Sequence, residues 1–145
     1  MTEAEGLVRA YYDAFNALSE KGGDREAFLA LLTEDVAHDV SQGGREVGRD
    51  AFGRFMAHMD RCYRERITDL VVMVDATGTR AAAEFVVHGT YIATDPGVPK
   101  GTPEASGQTY SLPAGAFFTL RDGRVARISN HYNLGDWVQQ VGGKA

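Results

Sequence analysis

The chain has 145 residues, of which 43% are hydrophobic and 24% are charged, and its net charge is −5. This length and composition are typical of a globular domain with its own core, so we expect one domain over residues 1–145. No run of Lys or Arg forms a basic stripe, which argues against nucleic acid and anionic membranes as partners. The acidic start, MTEAEGLVRA, does not resemble a signal peptide, and the single Cys62 excludes an internal disulfide. We therefore expect a cytoplasmic protein without a membrane span.

The first half of the chain has the apolar periodicity of three helices. KGG at 21–23 is expected to end the first helix, and Asp24 is a candidate N-cap for a second, short helix. A third helix is predicted from about Arg49 to Arg64. The apolar residues that define the helices are Leu7, Val8, Tyr11, Phe15 and Leu18 in the first, Phe28, Leu31 and Leu32 in the second, and Phe52, Phe55, Met56, Met59 and Tyr63 in the third.

From Val36 the pattern changes to the alternation of a strand, with His38 on one face and Asp39 on the other. SQGG at 41–44 is expected to turn the chain, and REVG after it to form a short return strand or loop. Two hairpins follow: residues 67–75 with 80–95, and residues 108–120 with 124–134 across the turn signal Asp122-Gly123.

Three further features complete the prediction for the second half. The segment 95–107 contains three of the four prolines and is expected to be a long loop of unassigned role. Pro113 predicts a bulge or kink in its strand. A short helix is predicted from about Asp136 to Val141. Helices followed by antiparallel strands indicate an α+β fold, in which the helices pack into the concave side of a curved sheet with an apolar pocket at its wide end.

Several motifs carry a resemblance to a known group of proteins. They are YYDAFNA in the first helix, LLTEDVAHDV leading into the first strand, GRDAFGRFM opening the third helix and DGRVARISNHYNLGDW at the end. In these motifs and in the order of its elements, nearly the whole chain resembles the nuclear transport factor 2-like superfamily, and within it the SnoaL-like and steroid Δ-isomerase-related proteins. The resemblance implies a cone-shaped, antiparallel or mixed β-sheet wrapped around three N-terminal helices. It implies no single function, because this fold hosts isomerases, dehydratases, cyclases, hydrolases and binding modules.

Comparison with true ketosteroid isomerases tests one of these activities. Those enzymes use an Asp general base and an oxyanion hole made of a Tyr and a protonated Asp. The resemblance puts that Tyr on Tyr11, the base on Val40, one position past Asp39, and the protonated Asp on Ala116. We therefore expect no efficient steroid isomerisation, because Ala116 cannot donate a hydrogen bond and a one-residue displacement turns a side chain to the other face of a strand.

Three residues are candidates for catalysis: His38, Asp39 and Tyr11. If His38 enters the cavity, its imidazole is a neutral acid or base near pH 7; alternatively it anchors the following turn. Asp39 either orients His38, acts as the base itself or is a solvated turn residue. Tyr11 either donates a hydrogen bond to a ligand oxygen or fills the core. The predicted substrate-binding residues are Phe15, Phe55, Met59, Phe118, Asn130 and Tyr132.

The residues expected on the outer face of the sheet predict an interface with a second copy of the chain. Glu84 and His88 are expected on the convex face together with Phe117 and His131, a mixture of aromatic and polar residues that fits a homodimer interface. No metal and no cofactor is predicted, since no HxH or HxxxH spacing supports a metal site. The sequence thus favours a domain that binds a small hydrophobic ligand and performs cofactor-free acid–base catalysis, of isomerase, dehydratase, cyclase or hydrolase type. The alternative is a ligand-binding or dimeric scaffold module without catalysis.

Overall fold

The architecture was taken from a computed structural model, which describes residues 1–20, 23–40 and 43–144. The helices are α1 (Glu3–Ser19), α2 (Arg25–Leu29), α3 (Arg49–Cys62) and α4 (Leu134–Gln140). The strands are β1 (Leu32–Val40), β2 (Gly44–Val47), β3 (Tyr63–Val74), β4 (Arg80–Tyr91), β5 (Gln108–Arg121) and β6 (Arg124–Tyr132). The order is that of the predicted α+β fold, with REVG forming most of the short return strand β2.

The first two helices begin at side-chain caps. Thr2 Oγ1 accepts a hydrogen bond from the Glu5 N–H at 3.1 Å, and Asp24 Oδ1 accepts one from the Ala27 N–H at 3.2 Å, so the predicted Asp24 cap is confirmed. The placement of Leu31 and Leu32 in α2 is wrong, because this helix ends after little more than one turn and Leu32 opens β1. The predicted helix stop at 21–22 and turn at 41–42 lie outside the described residues.

The third helix is shorter than its apolar pattern predicts. It ends at Cys62, and Tyr63 already pairs with Tyr91 in the β3–β4 ladder. The two tyrosine rings stack with their centroids 5.3 Å apart. The prediction that Tyr63 and Arg64 belong to the helix is therefore wrong, since pairing with a neighbouring strand overrides the local helical period.

The six strands form one mixed, curved and unclosed sheet in the order β2-β1-β6-β5-β4-β3. β1 and β6 are parallel, and the other neighbouring pairs are antiparallel. Both predicted hairpins are confirmed. Asp122 and Gly123 have positive φ angles of 54° and 72°, as the tight turn between β5 and β6 requires. The strand register shifts between Thr68 and Val71 in β3, where Asp69 has a φ of 57°, and such bulges bend a sheet.

The bulge expected at Pro113 is absent. β5 runs through this residue, which pairs with Val86 on β4 without a shift in register. On the other side, the ladder with β6 ends one residue away at the pair Ala114 and Tyr132. Pro113 therefore lies beyond the end of the β6 ladder, so its missing N–H removes no hydrogen bond on that side.

Aromatic residues fill the concave side of the sheet beneath the helices. The ring of Tyr11 lies 5.0 Å from that of Phe28 and 5.5 Å from that of Phe118, and the Tyr12 ring lies 5.0 Å from that of Phe85. A second apolar cluster lies under α4 and consists of Tyr91, Tyr110, Leu112, Trp137, Val138 and Val141. The helices of the described ranges include none with the length and hydrophobicity that a bilayer span requires.

The segment between β4 and β5 is tied to α3 and β3 at its start. Tyr63 donates its hydroxyl hydrogen to Asp95 Oδ2 over 2.7 Å, and His58 Nε2 lies 3.2 Å from the same oxygen. Val98 and Ala105 of this segment pack on the cluster beneath α4. The predicted loop 95–107 thus has fixed contacts at the wide end of the sheet.

Candidate active site

His38 lies on the inner face of β1, where the alternation starting at Val36 places it. The side chain is 2% exposed and packs between the rings of Phe52 and Phe55, each with its centroid 4.6 Å away. Its Nε2 lies 3.3 Å from Nδ2 of Asn130, whereas its Nδ1 is buried without a hydrogen-bond partner among the described residues. The imidazole therefore has one polar neighbour and two aromatic ones.

Burial determines the charge of this histidine. Desolvation lowers the pKa of His38 to about 4, and the negative charge of Asp39 opposes that shift only in part. The ring is therefore neutral at pH 7, as expected for a group in an apolar interior. A neutral imidazole can accept or donate a proton, but only if a reactant reaches it between the two phenylalanine rings.

Asp39 points to the opposite, outer face of the sheet. Its carboxylate accepts hydrogen bonds from Arg45 Nε at 2.5 Å and from Arg127 Nε at 2.9 Å. These bonds, that of Arg45 first, hold the pKa of Asp39 below its usual value. Asp39 is therefore an ion-paired residue outside the cavity, with its charge committed to two arginines, and its catalytic role stays a prediction.

Tyr11 and Phe118 lie in the packed end of the interior. Tyr11 is 5% exposed and Phe118 is fully buried, and burial raises the pKa of the Tyr11 phenol above its ordinary value. Ala116, at the position that corresponds to the protonated Asp of the isomerases, is also buried and has no side-chain donor. This end of the sheet thus resembles a hydrocarbon core, and the role of Tyr11 as a hydrogen-bond donor to a ligand stays a prediction.

The remaining predicted substrate-binding residues fall into two groups. Phe55 and Asn130 surround His38, and Tyr132 ends β6 near them with 38% of its surface exposed. Phe15 and Met59 instead line a small cavity of about 20 Å³ between α1, α3 and β3. The apolar wall of this cavity consists of Phe15, Leu18, Met56, Met59 and Tyr63.

The polar residues of that cavity wall are Ser19, Asp60 and Glu65, and sequence analysis missed Glu65. Its carboxylate accepts a hydrogen bond from the Tyr110 hydroxyl, with an oxygen–oxygen distance of 2.6 Å. Burial raises the pKa of Glu65, and the hydrogen bond from Tyr110 opposes this effect. The result is a carboxyl group whose proton affinity is greater than that of a carboxyl group in water.

Gly89 allows this pair to form. It lies on β4 directly between Glu65 on β3 and Tyr110 on β5. A Cβ atom at this position would come within 2.2 Å of Cζ of Tyr110, so only a glycine lets the tyrosine ring cross β4 towards the carboxylate.

The described residues include no group of three or more His, Cys, Asp or Glu side chains that could hold a metal ion.

Glu65 was missed because the predicted third helix ended at Arg64 and the predicted strand began at Ile67. The signal was present in the sequence. Tyr63, Glu65 and Ile67 alternate with charged residues in YRERI, which is a strand pattern with Glu65 on the inner face. A helix that ended two residues earlier would have placed a carboxyl group among apolar side chains.

The curved mixed sheet with helices at its N-terminal side defines a nuclear transport factor 2-like fold. The SnoaL-like domain family matches residues 8–128, and the chain belongs to this family. No curated protein matches the sequence.

Solved structures agree with this assignment. A "putative polyketide cyclase" from Pseudomonas putida KT2440 is 58% identical, with a TM-score of 0.87, and the match covers 98% of this chain and 99% of the other. A second protein of that description, from Xanthomonas campestris pv. campestris, is 53% identical, with a TM-score of 0.87 and 97% of both chains covered. An NTF2-like protein of unknown function from Burkholderia pseudomallei K96243 is 17% identical, with a TM-score of 0.69 over 99% of this chain and 100% of the other, and shares the fold.

Proposed function

We propose that this protein binds a small, largely apolar molecule with a carbonyl group at the wide end of the sheet and moves a proton at the carbon next to that carbonyl, without a cofactor. The observation that carries the proposal is the Glu65 carboxyl group, held by Tyr110 at 2.6 Å in the wall of a mostly apolar cavity. Desolvation brings the pKa of a carboxyl group closer to neutral pH, which makes it a more effective acid or base there.

The proton transfer has a direct route in this arrangement. The Glu65 carboxylate takes a proton from the carbon next to the ligand carbonyl, while the Tyr110 hydroxyl keeps the carboxylate oriented. The resulting enolate then either regains the proton at another carbon, which is an isomerisation, or attacks a second carbonyl carbon of the same molecule. In the second case a ring closes and the proton passes from Glu65 to the new alkoxide. The polyketide cyclase description of two relatives more than 50% identical to this chain favours ring closure.

Ligand binding inside this small cavity requires side chains to move. A cavity of about 20 Å³ has room for about one water molecule, whereas small-molecule sites have volumes of about 300–1,000 Å³. Met59 is only partly buried and lies in the last turn of α3, and a methionine side chain adapts easily to a new shape. We expect Met59→Ala to open the cavity and to tighten binding of the neutral probe N-phenyl-1-naphthylamine. Unchanged or weaker fluorescence enhancement would place the binding site elsewhere.

His38 is the second candidate for proton transfer in the interior. Phe52 of α3 contacts His38, and Met59 of α3 lines the cavity with Glu65. The two positions are seven residues apart, which is roughly 10 Å along the helix axis. His38 is less well supported than Glu65, because its ring is enclosed by Phe52 and Phe55 and does not line the cavity. One assay distinguishes the two residues.

That assay is hydrogen–deuterium exchange at the carbon next to a ketone, followed by NMR in deuterated buffer. The probes are 2-tetralone, 1-indanone and acetylacetone. We expect the wild-type protein to exceed the buffer rate for at least one probe, and Glu65→Gln to lose a factor of about 100 or more. Glu84→Gln, which changes an exposed carboxylate on the outer face of β4, is the matched control and should retain the wild-type rate.

Each other outcome counts against the proposal. No exchange above buffer with any probe contradicts catalysis, and if N-phenyl-1-naphthylamine still binds, that result favours the non-catalytic binding module. Retained exchange in Glu65→Gln together with loss in His38→Leu identifies His38 as the base.

We also propose that the protein is a homodimer. Val71, Met73 and Phe117 expose 49%, 52% and 52% of their surfaces on the outer face of the sheet. Met73 pairs with Ala82, which in turn pairs with Phe117, so Met73 and Phe117 lie in one row across β3, β4 and β5. A second copy of the chain that covers this row would remove the three side chains from water, which supports association.

A further inference from the structure

An open cleft of about 600 Å³ lies at β3, β4 and β5, and Glu65 and Tyr110 line it together with polar residues of the outer face. Two rows of directly paired residues on β3, β4 and β5 form its floor. The rows are Arg64–Thr90–Thr109 and Arg66–His88–Ser111. Gln140 closes one end, since its side chain accepts from the Ser111 N–H at 2.8 Å and donates to the Ser111 carbonyl at 3.0 Å.

His88 joins a chain of hydrogen bonds across this floor. Ser111 Oγ lies 3.0 Å from His88 Nδ1, and Thr68 Oγ1 lies 2.8 Å from His88 Nε2. The Thr68 hydroxyl in turn donates to Asp69 Oδ2 at 3.0 Å. Asp69 is the residue of positive φ in the β3 bulge, and the bulge places its carboxylate beside Thr68.

The direction of these bonds follows from the number of hydrogens available. Thr68 has one hydroxyl hydrogen, which Asp69 receives, so the Thr68 oxygen must accept from His88 Nε2–H. A neutral imidazole that carries its hydrogen on Nε2 has its lone pair on Nδ1. The lone pair therefore faces the Ser111 hydroxyl, which donates to it. A serine hydroxyl beside an oriented imidazole base is the arrangement that activates a serine as a nucleophile.

The same cleft has positive charge available for a substrate. Arg64 and Arg66 are exposed, and neither forms an ion pair with any residue in the described ranges. Arg66 lies directly across from His88, on the side away from Ser111. A guanidinium group offers five N–H donors, which suits either a substrate carboxylate or the oxyanion that forms during attack on an ester.

We propose that this cleft is a second reactive site, in which Ser111 accepts the acyl group of a carboxylic ester that bears a nearby negative charge. Ser111 Oγ bonds to the ester carbonyl carbon while its proton moves to His88 Nδ1. The bond to the leaving alcohol oxygen then breaks, and that oxygen takes the proton from His88. Water attacks the acyl-serine with His88 again receiving and returning the proton, so the net reaction is ester plus water to acid plus alcohol.

The Ser111–His88 pair is separate from the apolar row of the outer face. Ser111 and Phe117 are six residues apart on β5, which is about 20 Å along the strand. A dimer that covers the row Met73–Ala82–Phe117 can leave the cleft open. Labelling of Ser111 and proton exchange by Glu65 are measured separately, so failure of one proposal is distinguishable from failure of the other.

The test is covalent labelling of the full chain with a fluorophosphonate, followed by peptide mapping by mass spectrometry. We expect the label on Ser111, and a labelling rate at least about 100-fold lower in His88→Gln. The matched control is Ser129, which lies on the same face with its Oγ 2.9 Å from His131 Nε2 but is 6% exposed and outside the cleft. Ser129→Ala should label at the wild-type rate.

Hydrolysis of two nitrophenyl esters gives the second readout. We expect mono-4-nitrophenyl succinate to be preferred over 4-nitrophenyl acetate in kcat/KM, and the preference to fall about tenfold in the double variant Arg64→Gln/Arg66→Gln. Thr68→Val should lower the labelling rate and Thr68→Ser should restore it, because Thr68 positions His88 through its hydroxyl. Circular dichroism melts confirm that each variant is folded.

Three results would overturn the proposal. They are no label on Ser111 in the wild type, a rate that is insensitive to His88→Gln, and wild-type ester hydrolysis in Ser111→Ala, which would mean that the histidine reacts alone.

Discussion

Replacing His38 with leucine should stabilise the protein, and more so in acid. Two features of the site determine this expectation. Nδ1 of His38 is buried without a partner among the described residues, and an unsatisfied buried polar atom costs about 1–3 kcal/mol. A leucine of similar volume removes that cost and keeps contact with Phe52 and Phe55, at the loss of the 3.3 Å contact with Asn130.

The acid dependence follows from the lowered pKa of His38. The pKa of His38 is about 4 in the folded protein and has its ordinary value of 6.5 in the unfolded chain. Between these pH values the unfolded chain binds the proton and the folded chain does not. Stability from this group is therefore complete above pH 6.5 and is lost as the pH falls towards 4. From pH 7 to pH 4.5 the wild-type protein should lose roughly 2.5 kcal/mol at this residue alone.

Urea unfolding at pH 7 and pH 4.5 measures both effects. The stability advantage of His38→Leu over the wild type should grow by roughly 2.5 kcal/mol between the two pH values. His131→Leu, which replaces an exposed histidine and leaves His38 in place, should keep the pH dependence of the wild type. The reasoning fails if His38→Leu is less stable than the wild type at pH 7, or if its advantage does not grow in acid.

Three further predictions concern other parts of the molecule. Ala116 provides no donor for an enolate, so turnover of a 3-oxo-Δ5-steroid should be absent or vestigial; turnover within tenfold of a true isomerase assayed alongside would defeat this argument. Phe117 lies at the proposed interface, so sedimentation should show a dimer for the wild type and a monomer for Phe117→Asp, whereas a wild-type monomer of 15.7 kDa at micromolar concentration would speak against the homodimer. Asp39 binds two partly exposed arginines, so Asp39→Asn should change the free energy of unfolding by about 1 kcal/mol or less and leave ketone exchange unchanged. Loss of exchange in that variant would restore Asp39 as a catalytic candidate.

The sequence was most informative where side-chain periodicity and turn chemistry agree. Asp24 has the geometry of a cap and begins α2, and Asp122-Gly123 forms the turn between β5 and β6. Alternation from Val36 also placed His38 inside and Asp39 outside, since an ungapped strand has period two. These are local relationships, and a single sequence contains them.

Contacts between distant strands were harder to predict. The hydrogen bond between Glu65 and Tyr110 joins residues 45 positions apart, and it depends on Gly89 of a third strand. The end of α3 also depends on pairing with β4, which the apolar spacing of Met59 and Tyr63 does not reveal. Register between strands determined both, and neither composition nor local period specifies register.

The central claim concerns the Glu65 carboxyl group, and its titration tests the claim most directly. Carbon-13 NMR of protein labelled at glutamate side chains, with Glu65→Gln to assign the signal, would follow this group with pH in the presence and absence of 2-tetralone. The account predicts a pKa above the ordinary value of 4.5 that changes when the ketone is added. A pKa at or below 4.5 that does not respond to the ketone would contradict it.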